Sequence, residues 1–199
     1  MGLEKTLLPI INAAMIGRGE WLIKEGKHYI EFPLAPVQRE FFKKYIYING
    51  LTSCVTYIKN KNLMRITVTE DLKNLYPLWY KDHMKVPNIQ CMDPYAILLA
   101  VLLFSERRHH SLDVKANIER KYLPNIAYYM EHHMDIPVEP HVSSVRIYDI
   151  TTLFLFATKH LSIYELNLFL SYLEKSEREN LVFHFQSYKE KIQSGGVKK

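Results

Sequence analysis

The chain has 199 residues, is 48% hydrophobic and carries a formal net charge of +5. This length predicts one domain of ordinary size, or two small halves that share a core. We expect no membrane span, because no apolar run approaches the roughly 20 residues it requires, and the N-terminus has no signal-peptide pattern.

The positive charge is confined to one part of the chain. Residues 1–92 contain 13 basic and 8 acidic residues, whereas the remainder contains 13 of each. Such a basic excess is typical of a chain that binds a polyanion, and equally of a solvated basic surface that has no partner. The two cysteines, Cys54 and Cys91, form no metal-ligand spacing and fit a reducing compartment, so we expect an intracellular protein.

The predicted elements of the first 90 residues follow from apolar periodicity and turn residues. An apolar helix runs into Gly17-Arg18-Gly19 and carries the small residues Ala13 and Gly17 four positions apart. Alternating residues and turn-forming residues predict the segments that follow. They are a hairpin of residues 20–26 and 27–32 joined at Glu25-Gly26, a helix at 36–48, a hairpin at 53–69 that turns at Asn60-Lys61-Asn62, and a helix at 71–80.

The same order of elements recurs at an offset of 83 residues. A second apolar helix repeats the small-residue spacing with Ala96 and Ala100, and a polar segment, "SERRHHSLDVKANIE", follows it. Small residues let helix backbones approach closely, so we expect these two helices to pack together at a pseudo-twofold axis. The remaining elements map onto 119–131, 136–152 and 154–163.

The repeat predicts an α+β fold with two pseudo-symmetric αββαββα halves, unless the likeness of the two stretches is a coincidence. The predicted halves are residues 3–90 and 91–192, with a tail at 193–199.

Three stretches resemble the LAGLIDADG homing endonuclease and maturase family, in particular its single-chain members. The first is "LLPIINAAMIGRGEWLIKEGKHYIEF" followed by "VQREFFKKY". The second is residues 72–104, which contain a Val-Pro and then a proline that opens the second interface helix. The third is "YLPNIAYYMEHHMDIPVEPHVSSVRIYDI". The resemblance implies two interface helices that each end in an acidic residue, with the acids holding divalent metal over DNA. It also implies a saddle of antiparallel hairpins that carries the DNA, and a monomer with internal pseudo-twofold symmetry.

The positions that should carry the catalytic acids depart from this family. Gly17-Arg18-Gly19 stands where the family has Gly-Asp-Gly, and the second acid falls on Phe104 when counted from Pro94, or on Val101 by the repeat offset. Magnesium requires oxygen ligands, whereas a guanidinium repels a metal and attracts phosphate. We therefore predict no catalytic residue, no bound metal and no cofactor. Arg18 is either a phosphate anchor or an ordinary surface residue.

The histidine pairs do not have the pattern of a metal site. Adjacent histidines, as in His109-His110 and His132-His133, diverge on both strands and helices, and neither pair has a further ligand nearby. The family resemblance instead implies a nucleic-acid-binding face, whose residues strand alternation and the hairpin tips then select. Its candidate residues are Arg18, Lys24, Lys27, Tyr29, Lys59, Lys61, Arg65, Arg107, Arg108, Lys115 and Arg146.

Three hypotheses follow. The leading one is a catalytically inactive LAGLIDADG-like protein that binds DNA, or RNA in the manner of a maturase. The second is an active site-specific DNA endonuclease whose acids are displaced to Glu20 and Glu106. The third is a protein-interaction scaffold in a ribonucleoprotein assembly. The sequence leaves open whether the protein belongs to a mitochondrion or to a bacterial cytoplasm.

Overall fold

A computed structural model describes residues 3–181, so residues 182–192 of the predicted second half and the predicted tail at 193–199 lie outside the described residues. The chain divides into two compact units, with the division between Asp149 and Ile150. No helix within residues 3–181 has both the length and the apolar character needed to cross a bilayer.

The first unit contains two sets of helices and hairpins in the same order. The first set is α1 (Leu3–Ile16), β1 (Glu20–Lys24), β2 (Lys27–Pro33), α2 (Pro36–Ile48), β3 (Val55–Ile58), β4 (Leu63–Thr67), α3 (Tyr76–Trp79), β5 (Tyr80–Lys81) and β6 (Met84–Lys85). The second set is α4 (Pro94–Phe104), β7 (Ser105–Arg107), β8 (Leu112–Lys115), α5 (Leu123–Met134), β9 (Val138–Pro140) and β10 (Ser144–Ile147).

The two four-stranded sheets have the same antiparallel topology. Their strand orders are β1-β2-β4-β3 and β7-β8-β10-β9, so each pairs the second strand of its first hairpin with the second strand of its other hairpin. The predicted turns are confirmed: Glu25 and Gly26 both have positive φ, which suits a two-residue hairpin turn, and Asn62 is left-handed at the end of the β3–β4 turn. The repeated helix–hairpin–helix–hairpin order confirms the predicted α+β halves.

Helices α1 and α4 pack against each other at the centre of this unit, as the small-residue spacing predicts. Every residue of α4 from Ala96 to Phe104 is buried, which agrees with a helix that is apolar on all sides. At the end of the pair, a Cβ added to Gly17 would lie 2.2 Å from the ring of Phe104. The contact therefore requires glycine at position 17.

The single repeat offset is wrong in detail, because the two sets differ in strand and loop length. Strand β1 has five residues and β7 has three. The second-half helix that was expected at 119–131 begins instead at Leu123, with a proline in its first turn. The helix that was expected at 71–80 consists of a 3₁₀ segment at Glu70–Leu75 and the four residues of α3, after which Tyr80 is already extended.

The second unit, within the described residues, contains α6 (Ile150–Ala157) and α7 (Ile163–Leu170). Helix α6 ends six residues before the predicted boundary at 163. Ser162 then starts α7 with a capping box, in which the side chains of Ser162 and Glu165 each accept a hydrogen bond from the other residue's backbone N–H.

Candidate nucleic-acid interface

One face of the first sheet carries polar and charged side chains. Residues directly opposite on paired strands share a face, and their neighbours along each strand point to the other side. Ile30, Phe32, Met64 and Ile66 are buried on the side of the helices. The opposite side, which we call the first outer face, carries Glu20, Leu22, Lys24, Lys27, Tyr29, Glu31, Pro33, Leu63, Arg65 and Thr67.

The second sheet has an equivalent face. The pairing of β8 with β7 and β10 places Glu106, Asp113, Lys115, Ser144 and Arg146 on it. We call this side of the sheet, together with Arg108 at the end of β7, the second outer face.

The structure does not bring Arg107 to the second outer face. Arg107 pairs with Leu112, which is fully buried, so its side chain leaves the sheet on the side opposite to Glu106. Arg107 therefore does not share a sheet face with Arg108, Lys115 and Arg146, with which the sequence grouped it. The sequence does not reveal the strand pairing of this short polar hairpin, and the pairing decides which of its side chains share a face.

The strand register identifies equivalent positions in the two sets. In the first sheet, Glu20 pairs with Glu31, which pairs with Arg65. In the second sheet, Glu106 pairs with Asp113, which pairs with Arg146. Glu20 and Glu106 are thus equivalent.

The two arginines of these triplets form equivalent ion pairs with buried carboxylates. The Nε of Arg65 donates to Glu31 at 2.7 Å, and Arg146 donates to both oxygens of Asp113, at 2.7 and 3.0 Å. Glu31 is 8% exposed and Asp113 is 2% exposed. Hydrogen bonding from Arg146 lowers the pKa of Asp113 below its ordinary value. Both guanidinium groups therefore neutralise buried acids of their own sheet.

The remaining cations differ between the two faces. On the second, Lys115 lies 3.4 Å from Glu106, and Arg108 lies 3.5 Å from both Glu106 and Asp113. The other predicted cations of the first set are exposed and form no ion pair with any residue in the range 3–181. These five unpaired cations are Arg18, Lys24, Lys27, Lys59 and Lys61. The guanidinium of Arg65 lies over the ring of Tyr29, 5.0 Å from its centroid.

A cleft of about 630 Å³ separates the two outer faces at the ends of α1 and α4. Arg18, Glu20 and Glu31 line it from the first set, and Glu106 and Lys115 line it from the second. Asn117 joins the two sets across this region. Its backbone N–H donates to the Gly17 carbonyl at 2.9 Å, and its side-chain amide donates to Glu20 at 2.9 Å.

A buried lysine holds the turn that presents Arg18. The ammonium group of Lys85 donates to the carbonyl oxygens of Gly17 and Gly19, at 3.0 and 2.8 Å, and the residue is 8% exposed. Burial lowers the pKa of Lys85 to about 7, and the negative charge of Glu20 opposes that shift. Lys85 is not among the residues predicted from the sequence, because no periodicity or motif distinguishes a lysine in a two-residue strand.

The positions equivalent to the family's catalytic acids carry no carboxylate. Arg18 lies two residues before Glu20, and Phe104 lies two residues before Glu106, which is equivalent to Glu20. The residue of the second set that is equivalent to Arg18 is therefore Phe104 and not Val101. Phe104 is buried, and its ring centroid lies 5.7 Å from that of Phe32. No group of three or more His, Cys, Asp or Glu side chains within residues 3–181 is placed to hold a metal ion.

The repeated topology, the paired central helices and the two outer faces define a LAGLIDADG-homing-endonuclease-like α+β saddle fold. The structure is similar to that of the homing endonuclease I-WcaI bound to its DNA recognition sequence. The TM-score is 0.61 at 7% sequence identity, and the match covers 83% of this chain and 88% of that chain. This similarity confirms the resemblance at the level of the fold.

The N-terminal LAGLIDADG domain of DUF199/WhiA also matches, with a TM-score of 0.47, 15% identity and coverage of 84% of this chain and 88% of that chain. No protein-family model and no curated protein matches the sequence.

Proposed function

We propose that this chain binds nucleic acid on its outer faces and does not cleave it. The observation that supports this proposal most directly is that five exposed cations of the first set, Arg18, Lys24, Lys27, Lys59 and Lys61, form no ion pair within residues 3–181. Exposed lysines at strand ends and hairpin turns suit phosphate contacts, which supply sequence-independent affinity. The homing endonuclease I-WcaI, which shares the fold, is bound to its DNA recognition sequence in its solved structure.

The absence of cleavage follows from the two positions at the helix ends. Metal-assisted cleavage of a phosphodiester needs oxygen ligands beside the scissile bond. Arg18 supplies a cation there and Phe104 supplies a buried ring, so neither can hold magnesium. A protein that binds without cutting fits a maturase-like role on RNA or a role as a DNA-binding regulator.

The direct test measures the binding of duplex DNA and of structured RNA by fluorescence anisotropy over a range of salt concentrations. With five phosphate contacts on B-form DNA, log K should fall with log salt with a slope of about −4.5. Changing Lys24, Lys27, Lys59 and Lys61 together to glutamine should weaken binding strongly.

The matched control changes four lysines that belong to neither four-stranded sheet, namely Lys43, Lys81, Lys121 and Lys175, so the net charge changes equally. Equal losses in the two variants would show that only net charge matters. If the wild-type chain binds neither nucleic acid, the proposal is wrong and the scaffold hypothesis takes its place.

One observation favours a second candidate, an endonuclease with displaced acids. Glu20 and Glu106 are equivalent by register and line the same cleft. The discriminating assay incubates the wild-type chain with a plasmid library and manganese and sequences any new ends. We expect none. Specific cuts that disappear in Glu20→Gln or Glu106→Gln would establish the endonuclease instead.

A further inference from the structure

We infer that the nucleic acid is held by one half of the saddle: the first outer face and Arg18 supply the phosphate contacts, and the second outer face supplies none. This inference rests on the proposed function and specifies how the same site works. It predicts a short footprint of about one helical turn, in contrast to a symmetric contact by both sheets.

The charge of the first set supports this inference. Arg18, the first outer face and the two connecting turns of its sheet together carry six cations and three acids, and only Arg65 forms an ion pair with a described residue. Lys24 and Lys27 are directly opposite each other on β1 and β2. Like charges in that position repel, so this pair contributes nothing favourable to the sheet. A polyanion that lies over both lysines would remove the repulsion.

The cations of the second outer face already form ion pairs with carboxylates of the same sheet. Arg146 holds the carboxylate of Asp113 with two hydrogen bonds, and Asp113 is 2% exposed. Moving the arginine to a phosphate would break both bonds and leave this buried carboxylate with the weaker contact of Arg108 at 3.5 Å. Lys115 and Arg108 both pair with Glu106, which is itself exposed on this face. A phosphate approaching them would also meet that carboxylate.

The unpaired lysines lie at opposite ends of the first sheet. Lys27 begins β2, and Pro33 at its other end pairs with Leu63, next to the turn that carries Lys59 and Lys61. The six residue steps from Lys27 to Pro33 span about 20 Å. At about 3.4 Å per nucleotide along one strand, a nucleic acid that follows β2 would place about six nucleotides between the two lysine pairs. One sheet can therefore engage about half a turn without help from the other.

The experiment compares two double variants that each remove two cations, Lys24→Gln with Lys27→Gln on the first outer face, and Arg108→Gln with Lys115→Gln on the second. Circular dichroism checks that both variants are folded. We expect the first variant to make the salt slope less negative by about 2 and the second to leave it unchanged. Affinity per site should also be equal, within about twofold, for duplexes of about 10 and about 24 base pairs.

The outcomes separate this inference from the function it rests on. Equal loss of slope in the two variants, or an affinity that continues to rise well beyond one helical turn, would overturn the one-sided contact and leave nucleic-acid binding intact. If the wild-type chain binds no DNA or RNA at any salt concentration, the proposed function itself is wrong.

Discussion

The buried Lys85 makes the stability of the first unit depend on pH. Its folded-state pKa of about 7 lies below the 10.5 of a free lysine, because burial disfavours the ammonium form. Between these values the unfolded chain binds more protons than the folded one, so the free energy of unfolding rises with pH. Each pKa unit corresponds to about 1.4 kcal/mol, so the gain between pH 7 and pH 9 should be about 2 kcal/mol.

The assay is urea unfolding at pH 7, 8 and 9, followed by tryptophan fluorescence. Both tryptophans, Trp21 and Trp79, belong to the first unit and are buried there, so the signal reports on that unit. Lys85→Met removes the titrating group, and Lys85→Gln retains a donor for the Gly17 and Gly19 carbonyls. In both variants the rise with pH should be smaller by about 2 kcal/mol than in the wild type.

Other groups that titrate between pH 7 and pH 9 cancel in this comparison. Lys81→Met is the control, because Lys81 is exposed and lies four residues away in the same segment. Parallel pH profiles for the wild type and both Lys85 variants would show that Lys85 does not cause the pH dependence of stability. A further replacement, Glu20→Gln, removes the negative charge that opposes the shift and should move the start of the rise to lower pH.

Two other predictions concern packing and ion pairs. Gly17→Leu should lower the free energy of unfolding by roughly 1–3 kcal/mol or more, because any side chain at this position meets the Phe104 ring. Gly26→Ala meets no atom, but φ at this position is +72°, so this variant should cost roughly 1–2 kcal/mol. A cost below about 1 kcal/mol for Gly17→Leu would show that Phe104 is not an obstacle. Arg146→Ala should cost roughly 3 kcal/mol in thermal or urea unfolding, because it removes both hydrogen bonds to the buried Asp113 while the weaker contact with Arg108 at 3.5 Å remains. Replacing both residues with apolar side chains should recover much of this loss, and a double variant that is no more stable than Arg146→Ala would contradict the explanation.

Local patterns predicted much of the first set of elements. Pro36 and the apolar spacing after it predicted a helix with the bounds that α2 has, and alternation placed Met64 and Ile66 on the buried side of β4. The turns at Glu25-Gly26 and Asn62 followed from residues that accept positive φ. These features depend on interactions within a few residues, and such interactions are visible in the sequence.

The cluster around Gly17 depended on contacts between distant residues. The sequence offered both Phe104 and Val101 as the position equivalent to Arg18. The choice of Phe104 required the pairing of Glu106 with Asp113, because loop lengths differ between the two halves. The capping of the Gly17 and Gly19 carbonyls by Lys85 links residues that are more than 60 positions apart. A composition or a periodicity contains no information about such a contact.

The class of fold, the central helix pair and the concentration of basic residues in the first half follow from apolar spacing and charge counts, so the sequence alone predicts them. Which cations are available to a ligand depends on the tertiary structure. Arg65 and Arg146 appear in the sequence as free groups on alternating strands, yet each is paired with a carboxylate from the neighbouring strand. Electrostatic neutralisation depends on distances of a few ångströms, and strand register, which arises from the packing of the whole unit, sets those distances.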